Sequence, residues 1–197
     1  MREKAGANMA PGVECSGWRD VLCQLPTLLG HEAEWMISGS CAMVWHGLTI
    51  EPNDIDVWCM PDHLKHLADR CGERVSQHQK AALSLESFEI NVSGWRVEIV
   101  GRVYKEGGIL MSVDRDMLME ARGHPLVESV EDLVAELLVL DRSSPKFDFR
   151  RAVTLSKAQR DGLRTQYVRT RLRRFGVTPS EVEYKLDLLL AQLAAQP

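Results

Sequence analysis

The stretches Ile37-Ser38-Gly39-Ser40 and Asn53-Asp54-Ile55-Asp56-Val57 constrain this chain more than any others. Trp35 to Ser38 is an apolar run short enough for a buried strand. Gly39-Ser40 is the turn leaving it, and Cys41 to His46 reads as a helix ended near Gly47. Asp54 to Cys59 alternates as a second strand. Alternation puts Asp54 and Asp56 on one side, roughly 6.5–7 Å apart at Cα, and turns Ile55, Val57 and Cys59 to the core. Carboxylates held that close repel each other unless a cation lies between them. Oxygen ligands with no nearby His or Cys favour Mg2+ over zinc.

A two-metal site needs a third acid on a neighbouring strand. Trp95, Val97 and Ile99 alternate with Arg96, Glu98 and Val100. That run follows an alternating Phe88, Ile90 and Val92, across a tight turn at Ser93-Gly94. Glu98 is the leading third ligand, sharing a face with Arg96 and Arg102; Glu89, one strand earlier, is the alternative. The Gly-Ser turn complements these acids. Backbone N–H groups at a helix start hold phosphate, Gly39 admits a close approach, and the Ser40 hydroxyl adds a donor.

The rest of the chain supplies a frame. Trp18 to Leu29 has helical spacing, with a break or kink expected at Pro26, and Pro61-Asp62 starts a helix burying Leu64, Leu67, Ala68 and Cys71. Gly107-Gly108 precedes a helix around Asp114 to Ala121. From about Pro125 the character becomes helical. Ser129 and Asp132 form a capping-box-like start to an apolar helix over Val130 to Leu140. Thr178-Pro179-Ser180-Glu181 starts another, which should bury Val182, Leu186, Leu189, Leu190 and Leu193. The reading is α/β (α+β): a tail over 1–13, a core domain over 14–124 and a helical C-terminal domain over 125–197.

With 45% hydrophobic and 26% charged residues, the 197-residue chain is an ordinary globular sequence. Its net charge of −4 gives no global case for a nucleic-acid partner. Five cysteines, an odd number with no Cys-x-x-Cys pair, argue against a structural zinc or a disulfide framework and fit a reducing cytoplasm. No apolar run approaches the ~20 residues of a membrane span, and Met1 to Gly12 lacks the apolar core of a signal peptide. One local bias stands out: between Arg150 and Arg174 nine basic residues face a single acid, Asp161. Arg150, Arg151, Arg160, Arg164, Arg169 and Arg171, with Tyr167 among them, are the expected contacts to a phosphate backbone or an acidic protein. His63 and His66 share a helix face that is most simply solvated. Cys41 and Cys59 occupy core positions. Trp45 and Trp58 suit burial better than base stacking.

Strand, Gly-Ser, helix, Asp-x-Asp and a later strand acid together resemble the nucleotidyltransferase superfamily related to DNA polymerase β. The resemblance rests on Ile37-Ser38-Gly39-Ser40, Asn53-Asp54-Ile55-Asp56-Val57 and Val97-Glu98-Ile99, and spans about residues 30 to 103. It implies a polymerase-β-like fold with a short mixed sheet and transfer of a nucleoside monophosphate from an NTP to an acceptor hydroxyl. It also implies two Mg2+ ions held by Asp54 and Asp56, with Glu98 binding one and deprotonating the nucleophile. The segment from Ser129 to Leu155 is similar to the region after the core in AbiEii/MenT-type toxins, which implies a tRNA 3′ end as acceptor and a cognate antitoxin as partner. In that family a helix Lys and a following Asp lie near the nucleotide. Asp148 matches the Asp; the helix here reads Ala135-Glu136-Leu137-Leu138, so Lys146 of the adjoining loop is the substitute. The alternatives are an antibiotic nucleotidyltransferase of the aminoglycoside or lincosamide type, and a catalytically silent copy acting as a binding module.

Overall fold

The computed structural model describes residues 17–30, 34–80, 83–106, 108–123, 125–140, 149–159 and 162–195. Lys146, Asp148 and Arg160 lie outside these residues. Helix α1 (Trp18–Leu29) leads into β1 (Trp35–Ser38), α2 (Gly39–Trp45), β2 (Ile55–Cys59) and α3 (Pro61–Cys71). Then come β3 (Ser76–Lys80), β4 (Leu83–Val92), β5 (Trp95–Lys105) and β6 (Gly108–Ser112). Among the described residues five helices follow: α4 (Arg115–Glu120), α5 (Val130–Leu140), α6 (Phe149–Ala158), α7 (Thr165–Arg174) and α8 (Pro179–Ala194).

One mixed sheet orders its strands β1-β2-β5-β4-β3, with β6 also on β5. Strand β4 covers one edge of β5 from Trp95 to Tyr104. The other edge is divided, taking β2 in parallel at Val97–Val100 and β6 antiparallel at Arg102–Lys105. The β4–β5 hairpin closes on Ser93 and Gly94, both at positive φ (52° and 85°), the geometry whose twist suits a two-residue hairpin turn. Gly101 lets α3 lie against β5, since a Cβ there would sit 2.9 Å from Leu64 Cδ2. That packing identifies the face of Val97 and Ile99 as the core face and leaves Glu98 on the opposite one.

Helix α5 is the spine of the C-terminal part. It packs against α2, α6 and α7, and every residue except Val139 is buried. Its approach segment joins the sheet: Ile37 N–H donates to Leu126 O and Glu128 N–H donates to Ile37 O. The Ser129 cap forms as expected, accepting the Asp132 N–H at 3.1 Å and donating to Asp132 Oδ2 at 2.6 Å. The capping box at Thr178 and Glu181 is also present.

Several expectations need correction. Helix α1 continues through Pro26 to Leu29, so the chain is not broken there. Leu190 is 41% exposed, because α8 turns only Val182, Leu186 and Leu189 fully inward. Strands β3 and β6 were not anticipated, since Ser76-Gln77-His78-Gln79-Lys80 has no apolar alternation and β6 follows directly on Gly107. No helix among the described residues is long and apolar enough to cross a membrane.

Candidate active site

The site grows from two adjacent turns. At the end of β1 the chain enters α2 through Gly39 at φ +59°, and a Cβ added there would collide with the Asp56 carboxylate. Glycine is therefore required twice, by conformation and by contact. It brings the start of α2 directly against the acid. Asp54 lies one residue before β2, not within it, and Cys41 Sγ donates to its backbone carbonyl at 3.6 Å.

Strand register then gathers the acids. Ser38, Asp56, Glu98 and Glu89 form one row across β1, β2, β5 and β4, each opposite the next. Like charges directly opposite destabilise a sheet unless something compensates them. Here Arg96 does part of that, placing Nη2 2.5 Å from Asp54 Oδ2 and Nη1 3.4 Å from Glu89 Oε1. Glu98 is 1% exposed, so it is not the solvated strand acid that alternation suggests. His78 Nε2 lies 3.0 Å from its Oε1, and Ser87 Oγ donates to the same oxygen at 3.3 Å. Among the described residues, the His, Cys and acid ligand atoms that all converge within 4.8 Å belong to His78, Glu89 and Glu98. Asp54 and Asp56 stand beside that group, outside it.

A cleft of about 130 Å3 opens over the aspartates. Gly39, Ser40, Glu51, Asn53, Asp54, Asp56 and Arg151 line it, with Met43 and Ile50 as its apolar wall. The Ser40 hydroxyl is buried there without a hydrogen-bond partner among the described residues. A buried hydroxyl left unmatched is uncommon and fits an absent ligand oxygen. The donor set suits a metal-bound polyphosphate: hard carboxylates for the ions, a glycine-opened helix start, an unpartnered hydroxyl and an arginine for the phosphates. The negative field is visible on Cys41, whose thiol is pushed up to about 12, first by burial and then by Asp56 and Asp54. Cys41 is a neutral packing residue. Cys59 is likewise raised to about 12 by burial.

Comparison with known proteins bears on the fold. No family model matches the sequence, and no curated protein sequence does. A solved structure of a candidate nucleotidyltransferase from Thermotoga maritima superposes with a TM-score of 0.53 at 22% identity, covering 71% of this chain and 91% of that one. The fold is nucleotidyltransferase-like.

Within that fold the basic helical stretch behaves differently from its sequence expectation. Arg171 is 1% exposed, with Nε 2.9 Å from Asp132 Oδ1 and Nη1 2.7 Å from Asp114 Oδ2. It is a structural cation, and its assignment to nucleic-acid contact is overturned by burial. Arg164 pairs with Glu131 and Glu120, and Arg169 with Glu183. Arg150 is exposed on α6, while its neighbour Arg151 lines the cleft. The charge bias was legible in the sequence; the acids that answer it, from distant segments, were not. Trp58 is buried as expected, but Trp45 is 53% exposed. His63 Nδ1 accepts the Glu34 N–H at 3.4 Å, which explains that ring without a metal.

Behind the cleft lies a second group of carboxylates that sequence reasoning missed. Glu128, Glu131, Asp132 and Glu136 are all buried on or beside α5. Burial first, then the mutual repulsion of the pair, raises Glu128 well above the usual carboxylate range. Burial also brings Glu136 to about 8, with Asp132 and Asp56 adding to it. The acids of an apparently apolar helix carry no periodic signal that separates them from solvated ones.

Proposed function

We propose that this protein transfers a nucleoside monophosphate from an NTP to an acceptor hydroxyl. The observation that carries the reading is the junction of the α2 start with the acid row: Gly39 against Asp56, and the unpartnered Ser40 hydroxyl in the same cleft. Asp54 and Asp56 would hold two Mg2+ ions, and Glu98 would share one. Bound there, the ions would neutralise the polyphosphate and polarise the α-phosphorus. Gly39 and Ser40 cradle the β and γ phosphates. Arg151 takes the cationic role that Lys146 was expected to fill. Glu98 receives the proton of the acceptor hydroxyl as the new P–O bond forms and pyrophosphate leaves. Arg96 must release Asp54 for that site to fill.

The acceptor we favour is an RNA 3′ end, as in a toxin of the AbiEii/MenT kind held in check by an antitoxin. Arg151, in the cleft lining, would meet its phosphates. Pairing of the remaining arginines with acids favours a second reading, a small-molecule acceptor such as an antibiotic, because little cationic surface is left for a long nucleic acid. Incubating the protein with each α-labelled NTP, Mg2+ and either total RNA or aminoglycosides separates the two. Label on RNA that disappears in Asp56→Asn supports the first. Absence of any labelled product with either acceptor leaves a silent nucleotide-binding fold.

A further inference from the structure

Strand β3 brings one residue into the acid row that the nucleotide site does not require. His78 is a Cα partner of Leu85 on β4, yet its ring reaches Glu98, and Glu89 stands opposite Glu98 on the same face. The three side chains offer ligand atoms within 4.8 Å of one another. Ser87, fully buried, touches two of them, with its Oγ 3.3 Å from Glu98 Oε1 and 3.5 Å from His78 Nδ1.

Proton counting makes this arrangement informative. The Ser87 hydroxyl has one proton and reaches both Glu98 Oε1 and His78 Nδ1. In the ring tautomer with the proton on Nδ1, the Ser87 oxygen accepts from Nδ1 and gives its own proton to Glu98. Nε2 then turns a lone pair toward Glu98 Oε1, 3.0 Å away. That tautomer is the one that takes a metal ion between the two atoms. Ligands at right angles around an ion about 2.1 Å from each lie about 3.0 Å apart, whereas tetrahedral ligands lie about 3.4 Å apart. The observed separation suits six-coordination. One imidazole among carboxylates selects first-row divalent ions over Mg2+. A buried hydroxyl that touches both the ring and the carboxylate is the outer-shell support such ligands use.

We propose that His78, Glu89 and Glu98 form a six-coordinate site for a first-row divalent ion of the Mn2+ class, oriented by Ser87 and distinct from the Asp54–Asp56 cleft. It shares only Glu98 with that cleft and stands whether or not the protein transfers nucleotides. Arg96, 3.4 Å from Glu89 and 44% exposed, competes for Glu89 and has room to withdraw.

The test is Mn2+ binding to the full chain, read from the paramagnetic resonance signal of free Mn2+ in a large excess of Mg2+, which saturates carboxylate-only sites. One Mn2+ should remain bound. His78→Ala and Glu89→Gln should each weaken it about tenfold or more, and Ser87→Ala by less, while the Asp54→Asn/Asp56→Asn double variant should bind within twofold of the parent. Glu89→Gln is isosteric and half exposed, so it answers even where His78→Ala perturbs β3. Unchanged Mn2+ affinity in both single variants means that a proton alone bridges His78 and Glu98, and overturns the proposal. Loss of binding in the double aspartate variant assigns the ion to the cleft and overturns it equally. Retained Mn2+ binding in a protein that transfers no nucleotide to any acceptor upholds the site and removes only the catalytic reading.

Discussion

The cleft and the C-terminal helices use the same charged residues in opposite ways. Across β1, β2, β5 and β4 the register sets Asp56, Glu98 and Glu89 side by side, and the carboxylates outnumber the cations. Across α5, α7 and α8 the arginines each find an acid: Arg171 with Asp132 and Asp114, Arg164 with Glu131 and Glu120, Arg169 with Glu183. A scaffold cancels charge within itself. A site for a cationic ligand accumulates one sign and leaves its cancellation to what binds. Net charge along the sequence does not tell these cases apart, because the most biased segment, Arg150 to Arg174, proves largely paired.

That contrast can be broken at several points. Asp56→Asn removes a carboxylate the ions would need, and nucleotide transfer should fall at least about a thousandfold with little change in urea midpoint. A similar loss from a strand acid outside the row such as Glu86, half-buried and paired with Arg102, would mean that the row has no special role. Arg171→Met should act in the reverse sense. It strands Asp132 in the interior and should cost about 3–5 kcal/mol of stability by urea unfolding, leaving the transfer rate per folded molecule intact.

Gly39→Ala probes the hinge between the two turns. The positive φ and the collision with Asp56 should cost about 1–2 kcal/mol of stability and lower transfer by about two orders of magnitude, by displacing the acid. The buried pair behind the cleft predicts a pH dependence of definite sign. Glu136 holds its proton up to about 8 in the folded chain, against about 4.5 when unfolded. The native state therefore binds more protons across that window, and stability is present below the unfolded value and lost as pH rises through the folded one. Glu136→Gln, which keeps the shape and cannot ionise, should flatten the decline of melting temperature between pH 5 and 8. Its gain near pH 8 should be about 1–2 kcal/mol. Arg169→Ala, on a surface pair with Glu183, should leave the urea midpoint essentially unchanged.

Much of the site was legible because it is local. Strand β1, the Gly39-Ser40 turn and the alternation around Asp56 and Glu98 occupy contiguous segments whose spacing fixes geometry. Glycine at 39 could be read as a close approach before its partner was known. What escaped reading depends on distant segments. His78 sits on a polar edge strand with no apolar period, and only the β3–β4 pairing brings it to Glu98. Glu128 and Glu136 look like any acids near a helix start, and Arg171 like any surface arginine, until folding buries them. Pro26 was read as a break or a kink, and of the two the break is excluded: α1 runs through it with Val21, Leu22, Leu25 and Leu29 buried; core packing outweighed the lost backbone bond.

The divided edge of β5 has a kinetic consequence. Asp56 meets Glu98 only by parallel pairing, across a chain interval that includes all of β3 and β4. Loop closure of that length is slow compared with the two-residue hairpin joining β4 to β5. Loop length therefore favours the hairpin forming before β2 pairs with it. Until β2 docks, the carboxylates of Asp56 and Glu98 stay apart, so the acid row exists only in a molecule whose sheet is complete.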